Sequence, residues 1–558
     1  MEIKQKIKAD VYEILKENID IEDIVVEYPK DRSMGDYAVP CFVFAKKLRN
    51  SPVNIANDIK EKIEVDNYEK VETVSGYLNF FVEKEELTAY VLNKVTSEKE
   101  NYGKSDIGNN KTVVVDYSAP NIAKPFGVGH LRSTAIGQAI INILKKTGHE
   151  TIGVNHLGDW GTQFGKLICA YKRWGNEAEV RENPIKELTK LYVLFHEKAE
   201  EDPTLEDEGR AYFKALENGD KEAYELWKWF RDESLKEFQK TYDLLGINKF
   251  DSYNGEAFYN DKMDEVISEI EEKGLLKKDA GAYIVDLEDM PPALIKKKDG
   301  ATLYITRDLA TAFYRKKTYN FDEAVYVVGN EQSLHFKQLK AVINKMGYNF
   351  ADDMHHVNFG MVLQGGKKMS TRKGKTVKLH DVLVEAKEMA KSYIKEDNNI
   401  DVEEVSRQVG IGAVIYNDLK NYRINDIEFN LEDILKFEGE TGPYVQYTYA
   451  RIMSLLNCED NFKVDYSKVE INSYIWNLVF KLHEFNDIIV KAKLGYDPSL
   501  IAKYVMTLAQ DFNRFYGNCK INDGNDNDKA FKREVSYAVA VVLKEGLRLL
   551  NIDAPEKM

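Results

Sequence analysis

The sequence predicts an α/β fold built around a parallel βαβ unit. Residues 111–116 form a β-branched run typical of a buried strand, and residues 151–155 form a second strand-like run. Between them, apolar residues recur at helical spacing from Leu131 to Leu144, and Gly148 is placed to end that helix. A strand, a helix and a strand in this order indicate two parallel strands joined by a crossover helix.

The loop that leads into this helix is suited to binding an anion. Gly127 and Gly129 lie just before the helix, where free backbone N–H groups and the helix dipole face a ligand. A second stretch, residues 368–374, is a basic loop preceded by Gly365 and Gly366, which are suited to act as hinges over phosphates. The alternative for this second stretch is a solvated surface loop.

The other elements follow along the chain. Residues 1 to about 105 contain amphipathic helices and a strand-like run at 71–82, before a polar break at 102–110. A charged helical stretch from 174 to 246 interrupts the zone that holds the βαβ unit, and this zone extends to about residue 425. Beyond about residue 430 the pattern predicts helices, the clearest of which span 471–492, 499–516 and 529–550.

Composition indicates an ordinary globular protein. The chain has 558 residues, 43% hydrophobic and 31% charged, which predicts roughly three or four domains. No apolar run of membrane-spanning length and no signal-peptide core is visible, so a cytoplasmic location is expected. The cysteines are scattered without a CxxC pair, which favours a reducing compartment and argues against a structural zinc site; they are Cys41, Cys169, Cys458 and Cys519.

The net charge of −15 argues against a nucleic-acid partner, because such partners usually require basic surface. Local patches matter more than the sum, and two basic clusters are present. One comprises Lys46, Lys47 and Arg49; the other comprises Lys367, Lys368, Arg372, Lys373, Lys375 and Lys378. Composition alone does not indicate RNA as a substrate.

The two loops carry a family resemblance. Residues 118–134, SAPNIAKPFGVGHLRST, and residues 368–374, KMSTRKG, resemble the HIGH and KMSKS motifs of class I aminoacyl-tRNA synthetases, in the wording of the arginyl-tRNA synthetase family. The agreement continues over much of the chain, at 155–165, 303–308, 441–447 and 551–558.

The resemblance implies a three-part layout. We expect an α+β N-terminal tRNA-binding domain at 1–105 and an all-α anticodon-binding domain at 429–558. Between them, a Rossmann-type catalytic domain would span 106–428, with its helical insertion at about 174–246.

The resemblance also implies an activity. The family joins arginine to tRNA through an arginyl-adenylate made from ATP, a reaction in which the protein mainly positions the reactants and stabilises charge on the phosphates. His130 would stabilise the triphosphate, and Lys368, Lys124 and Ser370 would neutralise the departing pyrophosphate. The expected ATP-binding residues are Gly127, Gly129, His130, Lys368 and Met369. For His130 considered alone, a helix-capping or core histidine is the alternative.

The sequence departs from the family motifs at two positions. Gly127 stands where the first histidine of HIGH is usual, and Thr371 stands where the second lysine of KMSKS is usual; Lys124 holds the position thought to substitute for that lysine. Gly127 and Gly129 also match the first two glycines of the dinucleotide-binding fingerprint. Arg132, however, stands where the third glycine belongs, and Glu150 lies before the second strand and not at its end, where the fingerprint has an acidic residue. We therefore reject an NAD site.

Arginine recognition requires carboxylates, because a guanidinium donates paired hydrogen bonds. Tyr304 and Asp308 are four residues apart and share one face if they lie on a helix. By resemblance they hold the guanidinium together with Glu256, while Ala119, Asn121 and Gln332 hold the amino and carboxylate ends. Without the resemblance, an exposed Asp on a helix would usually be a solvated side chain.

Two further groups have open interpretations. His156, Asp159, Trp160 and Gly161 follow the second strand, where open α/β sheets bind ligands, but packing of Trp160 is an equal alternative. Aromatic and polar residues late in the chain suit stacking of RNA bases or a packed domain junction; they are Tyr444, Gln446, Tyr447, Tyr449 and Arg451.

The expected partners are tRNA(Arg), L-arginine and ATP with Mg²⁺, without a tightly bound metal or a membrane, and with the chain acting as a monomer. Two alternatives remain. One is another class I synthetase, although the cysteine spacing does not suit a zinc-dependent cysteinyl enzyme. The other is a non-catalytic tRNA-binding relative, favoured by Gly127 and opposed by Lys124, His130 and Lys368.

Overall fold

The computed structural model describes residues 3–29, 31–65, 68–247, 249–297, 304–369, 371–372, 375–394, 400–457 and 460–558. The chain divides into two compact units. The first comprises Met1–Ser97, Phe462–Val479 and Asn522–Val535, and the second comprises Glu98–Asn461, Phe480–Ile521 and Ser536–Met558.

The N-terminal segment of the first unit combines four helices with a three-stranded antiparallel sheet of order β1–β3–β2. The helices are α1 (Ile3–Leu15), α2 (Ala45–Leu48), α3 (Pro52–Lys62) and α4 (Lys84–Glu98), and the strands are β1 (Tyr37–Pro40), β2 (Lys70–Val74) and β3 (Tyr77–Phe81). Helix α1 buries Ile7 and Val11, which lie one turn apart on the same face.

The predicted single run at 71–82 is instead a β-hairpin. Ser75 and Gly76 turn the chain with φ of 48° and 84°, the left-handed backbone that two-residue hairpin loops require. A Cβ on Gly76 would lie 2.9 Å from Pro52 Cβ and 3.1 Å from the Phe42 ring, so glycine is needed there on two grounds. The apolar pattern predicted strand on both sides but not the turn.

The second unit begins with the βαβ unit, and this prediction is confirmed. It consists of β4 (Thr112–Asp116), α5 (Gly129–Lys146) and β5 (Glu150–Val154), with β4 and β5 parallel. Val113, Val114 and Val115 are all buried, as expected for a parallel strand covered on both faces. Helix α6 (Thr162–Trp174) follows, and the charged insertion predicted at about 174–246 then contains α7 (Glu177–Glu182), α8 (Pro184–Glu201), α9 (Thr204–Glu217) and α10 (Lys221–Leu244).

Three short antiparallel strands and three helices then lead to the remaining parallel strands. In chain order these elements are α11 (Met263–Glu272), β6 (Leu276–Asp279), β7 (Ala282–Val285), β8 (Ala293–Lys296), α12 (Tyr304–Tyr319), β9 (Glu323–Tyr326), α13 (Ser333–Lys345) and β10 (Met354–His356). The central sheet has the order β10–β9–β4–β5 with every neighbouring pair parallel. Strand β4 therefore has β5 on one side and β9 on the other, and ligands bind at such a reversal of strand order.

The rest of the chain adds small strands and then helices. These elements are β11 (Val362–Gln364), β12 (Lys367–Lys368), β13 (Thr371–Arg372), β14 (Lys375–Thr376), α14 (Leu379–Lys391), α15 (Val402–Leu419), β15 (Ile427–Glu428), α16 (Leu431–Ile434), α17 (Gly442–Leu456), α18 (Ser473–Gly495), α19 (Ser499–Asn518) and α20 (Asp526–Leu549). The three predicted C-terminal helices are present within a few residues of their expected bounds. Among the described residues, no helix is both long and apolar enough to cross a bilayer.

Candidate active site

A cavity of about 660 Å³ opens at the carboxyl ends of the parallel strands. Its wall includes Asp116 at the end of β4, His156 after β5, and Tyr326 at the end of β9. This is the edge at which open α/β sheets bind ligands. Many of the predicted site residues line the same cavity: Ala119, Asn121, Gly129, His130, Glu256, Tyr304, Asp308, Gln332, Lys368 and Met369.

The N-terminus of α5 forms one part of the wall. Gly129 is the first residue of α5, and a Cβ added to it would meet no atom within 4 Å, so the backbone is open to a ligand. Burial lowers the pKa of His130, against the hydrogen bond to Gly127, and the ring is therefore neutral at pH 7. The His130 Nδ1 lies 3.3 Å from the Gly127 carbonyl oxygen, which it can contact only as a donor. In a neutral ring Nε2 then carries no proton. A phosphate at this position could accept a hydrogen bond from Nε2 only if the ring became protonated.

The loop between β4 and α5 holds strained backbone. Ser118, Ala119 and Ala123 have φ of 72°, 48° and 58°, which non-glycine residues rarely adopt. Ser118 is fixed on both sides, since its N–H donates to Ser133 Oγ at 2.9 Å and its Oγ lies 2.8 Å from Tyr242 Oη. Strain that is held by such surrounding contacts is a feature of ligand-binding loops.

The basic second motif begins on a hairpin. Strands β11 and β12 pair antiparallel through a turn at Gly365 and Gly366, and β12 ends at Lys368. The Glu428 carboxylate accepts hydrogen bonds from the N–H groups of both turn glycines. Ser370, the remaining residue predicted for pyrophosphate, lies outside the described residues.

Backbone hydrogen bonds join the first motif to the segment that directly follows the second. The Val128 N–H donates to the Val377 carbonyl at 3.1 Å, and the Leu379 N–H donates to the Phe126 carbonyl at 2.8 Å. Gly127 lies between these bonds, buried and bridged to Lys378, and is not part of the cavity wall.

Lys124 also lies outside the cavity wall. Its Nζ donates to Gln163 Oε1 at 3.3 Å, on the first turn of α6. The structure therefore separates Lys124 from the other residues predicted for the phosphates, of which His130 and Lys368 face the cavity.

The first turn of α12 forms another part of the cavity wall. Tyr304 and Asp308 are one helical turn apart and face the cavity, and the Tyr304 ring is 70% exposed. The Asp308 Oδ2 accepts a hydrogen bond from His335 Nε2 at 2.5 Å. Burial opposes ionisation of Asp308, but this hydrogen bond and the nearby positive charge hold its pKa below the usual range.

A second carboxylate, Glu256, faces the same end of the cavity. Its Oε2 lies 3.6 Å from Arg307 NH1. Burial raises the pKa of Glu256 to about 7, against the lowering effect of Arg307, and the neighbouring Asp308 raises it further.

A buried ion pair lies beneath these carboxylates. Arg315 NH1 is 2.8 Å from Asp116 Oδ2, and Arg315 NH2 is 3.4 Å from His156 Nδ1. His335, Arg307 and this pair were not among the site residues predicted from the sequence. For Asp116 a signal was present, because an acidic residue that ends a buried parallel strand lies at the ligand-binding edge.

Comparisons with known proteins agree with this geometry. The family model described as "tRNA synthetases class I (R), catalytic domain" matches residues 91–431. "Arginyl tRNA synthetase N terminal domain" matches residues 1–82, and "DALR anticodon binding domain" matches residues 445–558. An arginine–tRNA ligase of Enterococcus faecalis is 54% identical over 568 residues, covering 100% of both chains.

The chain belongs to the arginyl-tRNA synthetases. Two solved structures share the fold. The arginyl-tRNA synthetase of Plasmodium falciparum has 28% identity and a TM-score of 0.83, covering 100% of this chain and 99% of that chain. The Thermus thermophilus arginyl-tRNA synthetase has 24% identity and a TM-score of 0.85 over 100% of both chains. The predicted fold class, with a class I catalytic domain between N-terminal and helical C-terminal domains, is confirmed.

The residues that follow β5 in this synthetase have two roles. His156 faces the cavity, whereas Asp159 and Trp160 pack against the helical insertion. Asp159 accepts hydrogen bonds from Arg231 Nε at 3.2 Å and from the Ala257 N–H at 2.9 Å, next to Glu256. Trp160 therefore packs within the protein, which was the alternative to ligand binding. Gly161 lies just before α6, with φ of 130°.

The aromatic residues of α17 in this synthetase also divide into two groups. Gln446 and Tyr449 are buried, and Gln446 donates to two backbone carbonyls, so they belong to the packed interior. Tyr447 is 40% exposed, with the Arg451 guanidinium 4.9 Å from its ring centre. Tyr444 is partly buried, and its Oη accepts a hydrogen bond from Asn513.

No dedicated metal cluster is found in the described part of this synthetase, where no three His, Cys, Asp or Glu side chains are grouped to hold an ion.

Proposed function

We propose that the 660 Å³ cavity is the site where arginine is activated by ATP and then transferred to tRNA. One observation supports this most strongly: Asp308 and Glu256 face the same cavity as the N-terminus of α5 and Lys368. Carboxylates at one end suit a guanidinium, and N–H groups with a cation at the other end suit a triphosphate.

At the phosphate end, Gly129 and His130 would contact the triphosphate, and Lys368 would neutralise the pyrophosphate as it leaves. Gly127 and Met369 belong to the proposed ATP contacts, with Gly127 acting through its backbone. Lys124 and Ser370 would contribute further contacts to the departing pyrophosphate. Mg²⁺ would arrive with ATP as part of the substrate, since it prefers phosphate oxygens and water to a protein cage.

At the arginine end, Asp308 and Glu256 would each accept N–H bonds from the guanidinium, with Tyr304 covering it. Asn121, Gln332 and the Ala119 backbone would hold the amino and carboxylate groups. The strained loop at 118–123 would then bring the substrate carboxylate towards the phosphates.

The chemistry takes two steps. A carboxylate oxygen of arginine attacks the α-phosphorus of ATP in line, and the bond to the β-phosphate oxygen breaks as pyrophosphate leaves. A hydroxyl of the terminal tRNA ribose then attacks the arginyl carbonyl, and AMP leaves. Positioning and charge stabilisation account for most of the acceleration expected in such a reaction.

We further propose tRNA-binding roles for the flanking regions, with 1–105 as an N-terminal tRNA-binding domain, 106–428 as the catalytic domain and 429–558 as the anticodon-binding domain. Lys46, Lys47 and Arg49 are exposed on and beside α2, which suits phosphate contact. The enzyme would act as a monomer in the cytoplasm, where the free thiols of Cys41 and Cys169 stay reduced.

Arginine-dependent ATP–pyrophosphate exchange, with and without tRNA(Arg), tests the proposal. We expect exchange with arginine and not with lysine or citrulline. Asp308→Asn should lower kcat/KM for arginine by about 10²-fold, because it replaces an acceptor with a donor in a desolvated pocket. If this variant used arginine as well as the wild type does, Asp308 would not be an arginine-binding residue. Exchange with another amino acid would contradict the assignment of arginine as the substrate.

A further inference from the structure

Each of the two carboxylates at the arginine end already has a protein partner that carries N–H donors, in a hydrogen bond at Asp308 and in an ion pair at Glu256. His335 Nε2 contacts Asp308 Oδ2 at 2.5 Å, and Arg307 NH1 lies 3.6 Å from Glu256 Oε2. Both contacts involve only one oxygen of the carboxylate. Within the described residues the second oxygen of each has no protein partner and is open to a ligand in the cavity.

The two donors are attached to different elements. His335 lies in the first turn of α13, one turn after Gln332, while Arg307 precedes Asp308 on α12. The Arg307 guanidinium is held at a second point, since NH2 donates to Asn260 Oδ1 at 3.4 Å. The donors therefore fix the carboxylates against separate parts of the fold.

The charge at this end of the cavity is also set by the donors. Two ionised carboxylates, Asp308 and Glu256, and the Arg307 guanidinium carry a net charge of −1. A single substrate guanidinium balances that charge. Without Arg307, Glu256 would lose the cation that lowers its pKa and would keep Asp308 and Asp159, which raise it, so its protonated form would be favoured.

We propose that His335 and Arg307 are positioning residues that set specificity for arginine by fixing which oxygen of Asp308 and Glu256 faces the substrate. A planar guanidinium donates in fixed directions, so it gains from acceptors held at fixed positions. A lysine ammonium is a compact charge with freely rotating donors, and it gains little from the same constraint. The inference rests on the proposed arginine site and names two residues that shape it.

The first test compares His335→Ala, His335→Gln, Asp308→Asn and the double variant His335→Ala/Asp308→Asn. The measurements are KM and kcat for arginine in aminoacylation, the inhibition constant for lysine, and KM for ATP. We expect His335→Ala to raise KM for arginine about ten- to a hundredfold, the usual effect of losing a hydrogen bond to a charged group. The inhibition constant for lysine should change less than about threefold, KM for ATP should not change, and His335→Gln should recover part of the loss because it retains a donor.

The double variant separates this inference from the proposed function. If His335 acts through Asp308, His335→Ala should add little to the effect of Asp308→Asn. Full additivity, or an equal loss for arginine and lysine, would overturn the positioning role. Unchanged KM and kcat for arginine in Asp308→Asn would instead contradict the proposed arginine-binding role of Asp308 itself. The matched control is His196→Ala on α8, a partly buried histidine of the helical insertion.

The second test uses Arg307→Gln and the pH dependence of KM for arginine. The charged groups that face Glu256 are Arg307, Asp308 and Asp159, and among these only Arg307 favours its ionised form. KM for arginine should rise as the pH falls, because Glu256 then takes up a proton. Removing Arg307 should raise the pKa of Glu256, so this increase in KM should begin at a higher pH. An unchanged pH profile with a folded variant would overturn the role of Arg307.

Discussion

Arg132 and Asp418 form an ion pair that is almost completely buried, with Arg132 Nε 3.2 Å from Asp418 Oδ1 and side chains that are 1% and 0% exposed. Arg132 lies on α5, two residues after His130, and its NH1 also donates to the Asn425 carbonyl at 2.7 Å. Asn425 leads into β15, which pairs with β11 of the hairpin that carries Lys368. Arg132 thus joins the two proposed phosphate-binding elements through the interior, by its bond to Asn425.

Breaking this pair from one side should destabilise the enzyme. We expect Arg132→Met to cost about 3 to 5 kcal/mol, because a buried carboxylate loses its partner. Asp418→Leu should restore part of the stability in the Arg132→Met background. Thermal unfolding of the wild type, the single variant and the double variant measures both effects. Equal Tm values for the single and double variants would show that Asp418 is not the group left unpaired.

His130→Ala and Lys368→Ala should each lower adenylate formation by roughly 10²- to 10³-fold, the usual loss for one transition-state donor. The affinity for arginine should change little, since neither side chain lies at the arginine end. Single-turnover formation of arginyl-adenylate is the measurement, with Lys345→Ala on α13 as a control. Rates near wild type in both variants would remove these side chains from the mechanism.

Gly127→His would restore the usual first histidine of the motif, and we expect it to impair activity. Gly127 does not need a left-handed backbone, since its φ is not positive. The position is nevertheless buried and bridged to Lys378, so an imidazole would have to displace the strand-like contact between the two motifs. Pyrophosphate exchange and KM for ATP measure the result, and a gain in activity would contradict this interpretation.

Arginine binding should weaken as the pH falls below about 7, where Glu256 takes up a proton. Arginine binds the ionised form of Glu256, so below the pKa of Glu256 the substrate must displace a proton. KM for arginine should then rise about tenfold for each pH unit. Glu256→Gln should raise KM at every pH and remove this dependence. The measurement is KM for arginine between pH 5.5 and 8.5 at saturating ATP, and a flat wild-type profile would show that Glu256 does not contact the substrate.

Reversing the charge of two exposed basic residues, Lys46→Glu and Arg49→Glu, should raise KM for tRNA without changing KM for arginine. Both lie on the surface, so the fold should persist. If each contacts one phosphate, the slope of log affinity against log salt should fall by about 2 in the double variant. Lys62→Glu, at the end of α3, is the matched control, and equal effects of all these changes would argue for a general charge effect.

The sequence predicted those parts that local pattern determines. The βαβ unit and the C-terminal helices followed from apolar spacing, and both motif loops followed from their residue types. The turn at Ser75 and Gly76 was missed because the apolar pattern is continuous across it. The partners of the site residues were missed for a different reason, since His335 and Asp418 become neighbours of Asp308 and Arg132 only through tertiary packing.

The backbone bond between Val128 and Val377 also affects how the enzyme is made. A ribosome that adds about 5 to 20 residues each second needs roughly 10 to 50 s to pass from the first of these residues to the second. Throughout that interval the strained loop after β4 has emerged without the segment that closes against it. The nascent chain therefore cannot form this contact until most of its length has been synthesised, and the loop is without this partner during that time.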